Sequence, residues 1–192
     1  MGETLVAWLG GEAKTVAFAI LSGVIGFLAK GVYDLWAARR KDRLDRVNQQ
    51  LKLLYGPLYA LNQSGDLAWK AFRSRVRPTG SFFRTTPPPN KEELEAWRRW
   101  MLTVFHPIHD EMLSTITKNA DLLIEADLPE ALKLFCAHVA AYKVVFERWS
   151  KHDFAEHTSV IDYPTREMAS YLAESFKHLK SEQARLLGGQ RS

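Results

Sequence analysis

LDRVNQQLKLLYGPLYAL, residues 44–61, carries the pattern that decides the fold. Leu44, Val47, Leu51, Leu54, Leu58 and Leu61 recur at intervals of three and four, which lays one apolar stripe along an α-helix. Gly56-Pro57 interrupts the stripe, because proline lacks an N–H and its ring meets the preceding turn. A kink or short break near Tyr55 is therefore expected, with helix resuming towards Arg77. From Asp42 onward the periods are helical, and no alternating strand pattern with hairpin punctuation occurs.

Upstream lies TVAFAILSGVIGFLA, residues 15–29, without a charge. If Lys30 snorkels, the apolar helix continues to Tyr33 and reaches roughly 28 Å, against about 30 Å for a hydrocarbon core. Trp8, Tyr33 and Trp36 flank it where an interfacial belt belongs. The alternatives are a buried core helix and a cleaved signal peptide. A signal peptide wants a positive leader, whereas Glu3, Glu12 and Lys14 precede this block and Arg39, Arg40, Lys41, Arg43 and Arg46 follow it. One basic residue before the span and six after it place the carboxyl side in the cytoplasm. The expected layout is a short non-cytoplasmic tail (1–14), a transmembrane helix (15–33), a basic juxtamembrane collar (34–46) and a cytoplasmic helical bundle (47–192), in a single-pass inner (plasma) membrane protein. Ala19, Ser22, Gly23 and Gly26 form a small-residue face on which helices of a homo-oligomer could approach.

Downstream, PTGSFFRTTPPPN (78–90) is the longest loop. Asn90 with Glu93 resembles a capping box opening a helix with Leu94, Trp97, Met101, Val104 and Phe105 on one face. Pro107 breaks or bends that helix before Ile108, Met112, Ile116 and Leu123 continue it to near Glu125. Asp127, Pro129 and Glu130 open the next helix, striped by Phe135, Val139, Tyr142, Phe146 and Trp149. A polar loop leads to Asp162 and Pro164, then to a last helix with Met168, Leu172, Phe176, Leu179 and Leu186, stopped by Gly188-Gly189. The sequence thus predicts an all-α chain: one N-terminal transmembrane helix followed by an antiparallel four-helix bundle. Following a single span and a basic collar, LYGPL (Leu54 to Leu58) resembles bacterial single-span, membrane-anchored helical proteins with no assigned activity. The resemblance implies that architecture and carries over no site residue.

The 192 residues are 46% hydrophobic and 25% charged, enough for a core and too structured for general disorder. Cys136 is the single cysteine, which permits no internal disulfide and no multi-cysteine zinc site. Seven of the 26 lysines and arginines and five of the 22 acids fall in residues 1–46, leaving nineteen against seventeen, too even a balance for general nucleic-acid coating.

One charge anomaly stands out. Between Asp66 and Glu92 there is no acidic residue, while Lys70, Arg73, Arg75, Arg77 and Arg84 alternate with aromatic residues including Phe82 and Phe83. Cations that neutralise phosphate beside rings that stack point to a nucleotide or an anionic lipid as ligand. The competing reading makes the rings core and the arginines solvating. WRRW (97–100) is read as a core tryptophan pair, and His138 as a core histidine. His106 and His109 stand three apart beside Asp110 and Glu111, but Pro107 between them weakens a shared metal. Phosphate-loop, dinucleotide, nucleophile-elbow and HExxH patterns are absent, so no catalytic residue, metal or cofactor is assigned. The function expected is a membrane-anchored helical binding module, acting as sensor, adaptor or effector on an anionic ligand. A scaffold tethering a protein partner is the alternative, and a metal-dependent membrane-bound hydrolase a third.

Overall fold

A computed structural model describes the backbone of residues 2–188 and the side chains of residues 23–188. The chain is all-helical, and among the described residues there is no strand. It divides into two compact units, residues 1–45 and 46–192.

The described residues of the first unit lie within α1 (Gly2–Gln49). Among the described residues no helix is long and apolar enough to cross a membrane. The span expected over 15–33 is thus not found there: from Gly23 only seven residues precede Lys30, and Asp34 follows. Side chains of residues 15–22, Ala19 and Ser22 among them, lie outside the described set. Gly23 and Gly26 have open space where a Cβ would stand. Val24, Ile25, Phe27, Leu28, Val32, Leu35 and Trp36 are all exposed large apolar side chains.

The second unit is a helical bundle of four rods. Its first rod is the end of α1, a π-helical turn Gln50–Tyr55 and α2 (Gly56–Val76). The second is α3 (Lys91–Trp100), a π turn Met101–Phe105 and α4 (His106–Lys118). The third and fourth are α5 (Glu130–Ser150) and α6 (Thr165–Gly188). α2 packs on α4 and α6, α4 on α5, and α5 on α6. Leu54, Leu58, Met112, Phe135, Met168 and Leu172 are fully buried along the stripes expected of them, and Phe72 and Leu132 are fully buried beside them.

At both internal prolines the helix continues instead of breaking. Each π turn ends two residues before a proline, and the residue between them, Gly56 before Pro57 and His106 before Pro107, closes it. The Gly56 N–H donates to the Leu51 carbonyl, and that of His106 to the Met101 carbonyl, five residues back. Widening the turn gives the proline ring room without ending the helix. A Cβ on Gly56 would stand 2.3 Å from the Leu51 carbonyl oxygen, so glycine is required there.

The capping box at α3 forms as expected, with Asn90 Oδ1 accepting from the Glu93 N–H at 2.9 Å and the Glu93 carboxylate from the Asn90 N–H at 2.8 Å. Two boundaries differ. α4 ends at Lys118, and a single 3₁₀ turn, Ala120–Leu122, replaces the helix expected to Glu125. Asp127 does not cap α5; Pro129 occupies that position without a side-chain bond.

Candidate functional site

Inside the bundle α2, α3, α4, α5, the segment before α6 and the start of α6, through Thr165 and Ala169, line a cavity of about 330 Å³. Leu61, Asn62, Gly65 and Trp69 of α2 form one wall, and Trp97, Met101, Phe105, His109 and Met112 another. Met101 and Phe105 are the first and last residues of the second π turn, so the proline-adapted stretch is itself part of the cavity. His138 and Tyr142 of α5 line a third side. Thr158, Ser159, Ile161 and Tyr163, from residues 151–164, close the fourth.

That closing segment has no regular structure, and ring donors of the core hold it. Trp149 Nε1 donates to the Glu156 carbonyl at 2.8 Å, Trp97 Nε1 to the His157 carbonyl at 2.8 Å, and the Tyr142 hydroxyl to the same carbonyl at 3.2 Å. His138 Nδ1 lies 2.6 Å from the Ile161 carbonyl. At the start of the segment α5 ends in a Schellman turn: the Asp153 N–H bonds the Arg148 carbonyl, the His152 N–H bonds that of Trp149, and His152 takes a left-handed φ of 59°. The Arg148 side chain pairs with Asp153 at 2.7 Å and Glu156 at 2.8 Å.

A carbonyl only accepts, so His138 Nδ1 carries the proton and Nε2 is a bare acceptor. Among the described residues nothing bonds Nε2, and none hydrogen-bonds either ring nitrogen of His109, whose ring stacks on Tyr163 at 5.0 Å and stands 5.8 Å from that of His138. Burial, helped by the charges of His138 and His106, brings the His109 pKa from 6.5 to about 3. Burial also lowers that of His138, against the Ile161 bond. Both imidazoles are neutral at pH 7. The Tyr163 hydroxyl donates to Asn62 Oδ1 at 3.2 Å, and its pKa is pushed up to about 12 by burial and by Asp66. Among the described residues no lysine or arginine lines the cavity. The two bordering acids are each paired, Asp66 with Lys70 at 2.6 Å and Asp162 with Arg84 at 2.7 Å.

The sequence-predicted basic and aromatic region is thereby placed. Phe83 lines the cavity, and Lys70 and Arg84 pair with its bordering acids. Phe82 is buried in the aromatic core beside Phe72 and Trp97. Arg73 donates to the Thr79 and Gly80 carbonyls and lies over the Trp69 and Phe82 rings. Arg77 joins Glu93 at 2.8 Å and the Pro87 carbonyl, and Arg75 is exposed.

Trp97 is buried as expected of a core pair, while Trp100 is half-buried. His106 turns aside to Asp110 at 3.3 Å and to the Phe146 ring. Among the described residues no group of three or more His, Cys, Asp or Glu is arranged to hold a metal ion. From sequence His138 is a core histidine and His109 only half of a pair weakened as a metal site by Pro107, while Asn62, Tyr142 and Tyr163 carry no sign of ligand binding. The available signal was polar rings placed on apolar helix stripes. No protein-family model, curated protein or solved structure matches the chain, so these residues stand on their own geometry.

Proposed function

We propose that this protein is a membrane-tethered ligand-binding module whose bundle holds a small organic molecule in the cavity. The observation that carries this reading is a 330 Å³ space, within the usual size of small-molecule sites, lined by rings and methionines with a few convergent polar groups. An apolar wall supplies affinity and the two imidazoles supply orientation. The ligand belongs in this cavity and not on the basic loop, where Arg73 and Arg77 are used in holding loop carbonyls.

The tether rests on separate observations. Val24, Phe27, Leu28 and Val32 stand exposed on a helix followed by the basic cluster from Arg39 to Arg46, the arrangement of a span with its carboxyl side in the cytoplasm. In that layout the bundle is cytoplasmic and antiparallel, and Gly23 and Gly26 offer a face to a second copy.

Native mass spectrometry of the detergent-purified full-length protein tests the binding reading. A retained small molecule is expected in the wild type and not in Ala169→Trp, which fills the cavity from α6. Identical spectra for the two, with no mass beyond chain and lipid, would refute it.

A further inference from the structure

The chemistry of the cavity wall narrows the ligand, on the reading that the cavity is a binding site. Size comes first. A cavity of about 150 Å³ takes a single benzene ring, and this one is about 330 Å³, room for two fused rings. Trp69, Trp97, Phe105 and Tyr163 favour a planar aromatic occupant, since offset and edge-on ring contacts add to area burial.

Charge comes second. Among the described residues no lysine or arginine lines the cavity to receive an anion, and each bordering acid is already engaged by a cation outside the cavity, so neither is free to pair with a charged ligand. The same surroundings that keep His109 unprotonated would penalise a cationic ligand.

Polarity comes third. The Ile161 carbonyl fixes the proton of His138 on Nδ1, so the cavity-lining ring keeps Nε2 as a pure acceptor. His109, 5.8 Å away, has one donor and one acceptor nitrogen in either neutral tautomer. An apolar occupant would leave these nitrogens without water and without a partner, whereas a hydroxyl can donate to His138 Nε2 while accepting from the N–H of His109.

We infer that the cavity selects an uncharged, planar, bicyclic aromatic molecule bearing a hydroxyl or N–H donor, which His138 Nε2 accepts.

Equilibrium dialysis of the full-length protein with 2-naphthol, 2-methoxynaphthalene and 2-naphthoate tests this. The methyl ether keeps the two rings and removes the donor; the carboxylate keeps the rings and adds charge. 2-Naphthol is expected to bind about tenfold tighter than the ether, the effect of one hydrogen bond to an otherwise unpaired acceptor, and 2-naphthoate more weakly than either. His138→Asn keeps an amide donor in place of Nδ1 for the Ile161 carbonyl and removes Nε2. It should bring 2-naphthol down to the level of the ether while leaving the ether's binding unchanged. Equal binding of naphthol and ether by the wild type overturns the donor selection and leaves the cavity reading intact. Tighter binding of naphthoate overturns the exclusion of charge in the same way. Binding of none of the three overturns the inference together with the cavity reading. The wild-type comparison stands even if the variant fails to fold.

Discussion

Two glycines of α2 show how one atom decides the sign of a substitution. At Gly56 a Cβ meets a backbone oxygen at 2.3 Å, which cannot yield without dissolving the π turn, whereas at Gly65 it meets only the Ile108 Cγ2 at 3.8 Å. Gly56→Ala is expected to destabilise by about 2 kcal/mol or more, and Gly65→Ala to stabilise by up to about 1 kcal/mol through helix propensity. Urea unfolding of the two variants checks the contrast. His109 carries a pH dependence of definite sign. Its folded pKa of about 3 lies below the unfolded 6.5, so the unfolded chain binds the extra proton first. Stability is complete above pH 6.5 and falls as pH drops towards 3, by a few kcal/mol. Lowered His138 and His157 values act in the same direction. In His109→Phe the loss of stability between pH 7 and pH 4 should be visibly smaller, measured as urea midpoints across that range; an unchanged slope would remove His109 as its source.

Among elements, the loop of residues 77–90 and the segment of residues 151–164 depend on side chains from helices. Arg77 and Glu93 are a half-buried pair, 14% and 18% exposed, and Glu93 also closes the α3 capping box. Arg77→Ala leaves that carboxylate without its cation and should cost about 1–3 kcal/mol, while exposed Arg75→Ala should stay within about 0.5 kcal/mol. Equal effects of the two in thermal unfolding would contradict the structural role of Arg77. In the segment of residues 151–164, Trp97→Phe removes the indole bond to the His157 carbonyl but keeps a ring in the wall. Faster amide exchange confined to residues 155–163 is the expected result. This scale also shows what was legible. The capping box, the long loop and the helix stripes could be read because they depend on neighbours three or four residues away. The cavity's fourth side could not, because Ser159, Ile161 and Tyr163 follow no period and are placed by rings from α3 and α5.

For the whole molecule, the proposed tether predicts that full-length protein sediments with membranes and resists a high-salt wash. Phe27→Asp with Leu28→Asp should move it to the supernatant, because each buried charge costs about 2.5–3.5 kcal/mol near a span's centre. Persistence of the double variant in the pellet would show that the apolar stripe does not hold the chain there. By itself the sequence determined that the chain is helical, where its loops fall, which faces are buried and where the prolines disturb the backbone, all of which follow from local periodicity and backbone sterics. Tertiary structure decided that the prolines are absorbed in π turns, that Arg73, Arg77 and Arg84 hold loops and pair acids, and that His109 and His138 line one cavity. The reason is physical: a histidine on an apolar stripe looks the same in sequence whether its ring nitrogens are satisfied or left bare, and only the packing of four rods around it settles which.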